Sequence, residues 1–206
     1  GIAAKKISNK PLIAHIHATE FDRTCNGNIN NNVYKIEKEG MEEADRVIVV
    51  SNYTKQMILS HYGIQGNKID IVHNAINADE YPTYREAKQL KKHFGKIVLF
   101  VGRLTLQKGP DYFIRMAKRV LEVDPNVFFV VAGSGDMGPQ VIAQAANNGI
   151  SDRVLFTGFL RGEELAHMYQ AADIFVLTSV SEPFGLTPLE ALANGTPVLL
   201  SKQSGV

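Results

Sequence analysis

Cysteine is almost missing from this 206-residue chain, and the single Cys25 has no internal partner with which to form a disulfide. Glycine and proline, at 17 and 8, are too few for a low-complexity or fibrous protein. Long apolar runs are missing too: the longest, Val127 to Ala132, falls far below the roughly 20 residues that cross a bilayer. There is no excess of one charge either. Lys and Arg number 22 against 21 Asp and Glu, a net +1, so no long-range field recommends nucleic acid or an anionic membrane as the main partner. The opening GIAAKKISNK lacks the apolar core and cleavage pattern of a secretory signal, so a cytoplasmic location is expected, and the sequons at Asn52 and Asn194 are read as chance matches. No G-x-S-x-G or G-x-x-x-x-G-K-[ST] occurs, which disfavours a nucleophile-elbow hydrolase and a phosphate-loop ATPase. No D-x-D occurs, and the E-x-D matches at Glu43 and Glu122 precede strand signals, so a diphosphate-bound metal lacks ligands where they would be needed.

What remains is an ordinary globular composition, 45% hydrophobic and 21% charged. Eight β-branched and aromatic runs read as strands: 11–17, 46–51, 69–73, 97–102, 127–132, 154–159, 174–179 and 197–201. Between them the apolar period turns helical, as in Phe113, Met116, Ala117 and Val120, and again in Leu165, Met168, Tyr169 and Ala172. Alternating strands and helices imply an α/β, doubly wound class with parallel sheets. The stretch 77–95 carries no strand signal, and a boundary is placed near Ala78. Asn26 to Asn32, rich in Asn and Gly, reads as a mobile loop. The chain starts at Gly1 and stops just after a strand, so both ends are read as cut.

In open parallel sheets, ligands collect at the carboxyl ends of the strands, which directs attention to four places. The loop Gly102 to Pro110 holds Arg103 and Lys108 beside a helix start at Pro110, a combination suited to phosphate or diphosphate. The segment Ser181 to Glu190 places Glu182 and Glu190 around another helix start, and carboxylates accept hydrogen bonds from vicinal hydroxyls of a sugar or ribose. Glu190 has a second explanation: Thr187 and Glu190 have capping-box spacing, with Pro188 at the first helical position. Gly133 to Gly138 spells G-x-G-x-x-G, but the next strand ends at Phe159-Leu160-Arg161 without the acid that a nicotinamide nucleotide requires. Lastly, His15 and His17 share a strand face without the acids or cysteines of a metal site; one is expected to pack and His17 to face a crevice, while Glu20 and Asp22 read as ordinary loop acids.

GRLTLQKG, EPFGLTPLEALANGTPVLLS, HIHATEFDR and ADRVIVVSNYTKQMI together resemble glycosyltransferase family four, the retaining GT-B enzymes that include glycogen and sucrose-phosphate synthases. The resemblance covers essentially the whole chain, and the E-x7-E stretch is its most specific part. It implies two Rossmann-like domains, 1–78 from the acceptor-side domain and 79–206 from the nucleotide-sugar domain, both truncated. It also implies a hexosyl transfer from a nucleotide-diphosphate sugar to an unknown acceptor, with retention, no metal ion and no cofactor beyond the donor. Arg103 and Lys108 would neutralise the departing diphosphate, and Glu182 with the backbone of Phe184, Gly185 and Leu186 would hold the transferred sugar and distal phosphate. Glu190 would bind the ribose hydroxyls, Leu160 would lie near the base, and His17 would approach the sugar. A fragment of this extent would keep most of the donor site and little of the acceptor site. A sugar-nucleotide 2-epimerase and a non-catalytic nucleotide-binding module are the alternatives.

Overall fold

Apolar runs without polar alternation suit parallel strands covered on both faces by helices. The computed structural model, which describes residues 1–25 and 27–206, places a parallel strand within each of the eight runs, in two compact units, with β1, β3 and β8 exposed on part of their length. One unit comprises Gly1–Asn74, Ser181–Gly185 and Gln203–Val206, and the other comprises Ala75–Val180 and Leu186–Lys202. Among the described residues no helix is long and apolar enough to cross a membrane.

In the first unit β1 (Ile13–Ile16), β2 (Arg46–Val49) and β3 (Ile69–Ile71) run parallel in that order. Its core joins Val47 and Val49 of β2 to Met41 of α3 (Asn31–Glu43) and to Ile58 and Tyr62 of α4 (Asn52–Tyr62), where α1 is Ile2–Ser8 and α2 is Glu20–Thr24. The Asn-rich stretch is a helix start rather than a loop in its second half. The Asn30 side-chain oxygen accepts from the backbone N–H groups of Asn32 and Val33, the role for which Asn is favoured; Asn26 lies outside the described residues.

Glu20 and Asp22 are not solvated loop acids, because both are buried. Glu20 accepts from the backbone N–H of Asn30 and pairs with Arg23, which also pairs with Glu37. Asp22 is sealed from solvent. One of its oxygens accepts from the backbone N–H and hydroxyl of Thr19 at 2.7 and 2.9 Å, and the other accepts from the Ser181 hydroxyl at 2.7 Å. Ser51, the N-cap of α4, donates its hydroxyl to the carbonyl of Pro183, while the backbone of Glu182 bonds to Gln203 and Gly205. These contacts fasten residues 181–185 to the first unit.

In the second unit β4 (Lys96–Val101), β5 (Val127–Ala132), β6 (Val154–Gly158), β7 (Ile174–Leu177) and β8 (Val198–Leu200) are all parallel, in the order β6-β5-β4-β7-β8. Alternate residues serve opposite faces. Phe100, Phe129 and Val131 pack with Phe113, Ile114 and Ala117 of α6 (Pro110–Leu121) and Val141 of α7 (Gly138–Asn147). Leu99, Val101 and Val130 face the other way, toward Ala87 of α5 (Glu86–Phe94), Tyr169 of α8 (Gly162–Ala171) and Ala191 of α9 (Leu186–Ala193). Both helical stripes therefore lie on the sheet, with Ala172 as the C-cap of α8 rather than a helical residue. Strand order reverses between β4 and β7, and ligands of open α/β sheets bind beyond the strand carboxyl ends near such a switch point.

The first two glycines of G-x-G-x-x-G serve close backbone approach. A Cβ on Gly133 would stand 1.9 Å from the carbonyl oxygen of Gly102, and one on Gly135 would stand 2.4 Å from that of Leu104. The approach is sealed by Leu104 N–H to Ser134 O at 2.9 Å and Met137 N–H to Leu104 O at 2.9 Å. Gly133→Ala is expected to destabilise the protein by about 3 kcal/mol or more in denaturant unfolding, because the clash is with backbone that cannot rotate away. Asp22→Ala removes the acceptor of the Thr19 N–H and hydroxyl and of Ser181 and is expected to cost about 3 kcal/mol, and Ser181→Ala about 1 kcal/mol, by the same measurement.

Candidate active site

The loop after β4 is built to bring a cation to the strand ends. A 3-10 turn, Leu106–Lys108, leads to Gly109 in the left-handed conformation (φ 59°), and α6 begins at Pro110. Only glycine fits at 109, since a Cβ would lie 2.5 Å from the carbonyl oxygen of Thr178. The Thr178 hydroxyl donates to Gly109 O at 2.8 Å, and Val180 N–H donates to Gln107 O at 2.8 Å. The segment after β7 is thereby stitched to the loop after β4, on either side of the switch point.

Beyond these strand ends lies a cavity of about 440 Å³ within the second unit. Arg103 and Lys108 enter it from the loop after β4, Gly133 and Ser134 from the loop after β5, Phe159 and Leu160 from beyond β6, and Thr187 and Glu190 from α9. Four residues singled out in the sequence, Arg103, Lys108, Leu160 and Glu190, thus line one space. A wider depression of about 940 Å³ runs along α6 past Tyr112 and Arg115 to Val123 and Asp124, which precede β5, so it lies away from the strand carboxyl ends where fixed donors converge.

The remaining candidates lie elsewhere in the chain. Leu186 is the exposed first residue of α9. Glu182, Phe184 and Gly185 belong to the segment held on the first unit, where Glu182 is buried and the Phe184 ring stacks on His73 at 5.7 Å between centroids. His17 follows the end of β1. The expected packed histidine is not found: His15 and His17 are both exposed, with ring centroids 4.2 Å apart, because Ala14 and Ile16 take the core side of that strand.

The capping box at Thr187 and Glu190 does not form. α9 already starts at Leu186, and Glu190 Oε2 instead accepts from the Tyr169 hydroxyl at 2.9 Å. Thr187 Oγ1 is buried with no hydrogen-bond partner among the described residues, on the cavity wall, where a ligand atom could satisfy it.

Residues that sequence reasoning passed over include Phe159, 72% exposed at the cavity edge, and Thr187. The signal for Phe159 was present: an aromatic residue directly past a strand end has no core to join. Tyr169 was read as part of a core stripe, and its hydroxyl carried no signal without the partner that the fold supplies.

Residues 83–206 match the family model of glycosyl transferases group 1, and residues 1–80 that of glycosyltransferase family 4. Over its whole length the chain is 36% identical to an uncharacterized glycosyltransferase of Methanocaldococcus jannaschii, covering 55% of that protein. It is 31% identical to a glycogen synthase of Mycobacterium tuberculosis, covering all of this chain and 50% of that one. A D-inositol 3-phosphate glycosyltransferase of Mycolicibacterium smegmatis is 36% identical over 82% of this chain and 40% of its own. Among solved structures, sucrose-phosphate synthase from Thermosynechococcus elongatus superposes with a TM-score of 0.80 at 26% identity, over 94% of this chain and 50% of that chain. Anabaena HepE, solved in complex with UDP-glucose, gives 0.85 at 22% identity, over 100% of this chain and 57% of that chain. The chain thus spans about half the length of the proteins that it matches. With more than half of its residues under one family model, and with parallel sheets shared with these structures, it belongs to the glycosyl transferases group 1 family and has the α/β architecture of GT-B enzymes.

Proposed function

We propose that this chain carries the donor side of a glycosyltransferase that moves a hexosyl unit from a nucleotide-diphosphate sugar to an acceptor hydroxyl, with retention of anomeric configuration and without a metal ion. The observation that carries the reading is the convergence of Arg103, Lys108 and Glu190 on one cavity at the carboxyl edge of a parallel sheet. Relatives named as glycosyltransferases and as a glycogen synthase support the same class of reaction.

Breaking the anomeric C–O bond of such a donor leaves negative charge on the diphosphate and positive character on the sugar ring. Arg103 and Lys108 stabilise the first, in place of a metal ion. The guanidinium offers a planar pair of donors and the ammonium a compact point charge. Fixed donors of this kind are worth about 3 kcal/mol each in activation free energy, because they need no reorganisation as charge develops. Glu190 accepts from the ribose hydroxyls, and Leu160 offers an apolar wall to the base. The acceptor enters on the face that the diphosphate leaves, and a phosphate oxygen takes its proton.

Isothermal titration with UDP-, ADP- and GDP-glucose tests the donor site. One of the three is expected to bind equally well with and without EDTA. Arg103→Ala and Lys108→Ala should each weaken that binding by about 1.5–3 kcal/mol, or roughly 12- to 150-fold, the worth of a hydrogen bond to a charged group. Undiminished affinity in both variants would remove the diphosphate role.

A further inference from the structure

Glu190 faces two spaces. On one side is the cavity that it shares with Arg103 and Lys108; on the other is a smaller one of about 310 Å³, lined by Tyr81, Tyr84, Glu163 and Tyr169. A carboxylate on a helix surface between two openings has several rotamers within reach, and a hydroxyl pair on a ligand is recognised only by the rotamer that points at it. The structure assigns the choice to Tyr169: we propose that it is the positioning residue that holds the Glu190 carboxylate for recognition of the ribose diol, a role that rests on the donor-site reading above.

Tyr169 is itself immobile. Only 1% of its surface is exposed, its ring packs edge-on against Phe175 of β7 with centroids 5.9 Å apart, and its carbonyl accepts from the Thr196 hydroxyl. Its own hydroxyl reaches Glu190 Oε2 at 2.9 Å, so one carboxylate oxygen is committed to a fixed donor and Oε1 is left for another. Burial and the facing Glu190 charge both push the Tyr169 hydroxyl far above the ordinary phenol range, which keeps it a donor at any working pH. A buried tyrosine normally finds some partner for its hydroxyl; here that partner is a side chain on the cavity wall, and a phenylalanine would have filled the same core volume.

The test is the ratio of affinities for a ribonucleoside diphosphate and its 2′-deoxy counterpart, measured by calorimetry with UDP, ADP and GDP. The wild-type chain is expected to prefer the ribose form of whichever base it binds by at least about tenfold, the discrimination of one hydrogen bond to a charged group. Tyr169→Phe should lower that preference to about threefold or less, with ribonucleotide binding weakened more than deoxynucleotide binding, which keeps only the 3′-hydroxyl for Glu190 to recognise. Glu190→Gln should abolish the preference. A merely structural role would weaken both ligands alike and leave the ratio where it was, and that outcome overturns the positioning role. So does an unchanged Tyr169→Phe. Should Tyr169→Phe not fold, Thr196→Val, which frees the Tyr169 backbone anchor without touching the ring, is expected to lower the ratio in the same direction, and an unchanged ratio there also overturns the role. Failure of the wild-type chain to bind any diphosphate sinks the donor-site reading instead.

Discussion

Five strands that all point the same way leave their carboxyl ends at a single edge, and the order β6-β5-β4-β7-β8 splits that edge between β4 and β7. The helices that follow those two strands, α6 and α9, pack on opposite faces of the sheet, while the segments leading to them are hydrogen-bonded to each other. The cavity lies over the ends of β4, β5 and β6, closed from the side by α9. Side chains from distant parts of the sequence reach it only because each follows a different strand. Arg103 and Glu190 lie far apart in the chain, yet they line one cavity. The chemistry proposed for the chain depends on this geometry more than on any single residue.

Glycine is what allows the loops to come close enough to hold that edge rigid. Gly109 lets the start of α6 lie on the segment after β7, and Gly133 lets the loop after β5 lie on the loop after β4. Backbone-to-backbone contact at these points leaves no rotamer freedom to absorb strain, so both cations are carried by one loop whose backbone is hydrogen-bonded to the segments after β5 and β7. Preorganisation of this kind gives fixed charges value in a reaction, since they do not have to move when charge develops. Packing thus explains Gly133 and Gly135, the first two glycines of the literal G-x-G-x-x-G.

The E-x7-E stretch is one motif in the sequence and two pieces in the fold. Residues 181–185 are held within the first unit by Asp22, Ser51 and the backbone of Gln203 and Gly205, whereas α9 and Glu190 belong to the second. The buried Asp22 is the less expected part of this arrangement. A sealed carboxylate is tolerated because its oxygens accept three hydrogen bonds, one of them from Ser181, beside Glu182.

Strand positions, the two helical stripes, the α/β class and the family were legible in the amino-acid order alone, because apolar runs and 3.6-residue stripes are local consequences of burial, and motif residues keep their spacing. Arg103, Lys108 and Glu190 could be singled out for the same reason, each just past a strand or at a helix start, while Leu160 was implied by the family resemblance alone. What only the tertiary structure decided were the partners. Whether Glu190 caps its own helix or accepts from Tyr169, whether Asp22 is a solvated acid or a buried clasp, and which side of β1 carries its histidines all turn on groups distant in sequence. A hydrogen bond costs or stabilises according to what else lies within 3 Å, and no local pattern contains that information.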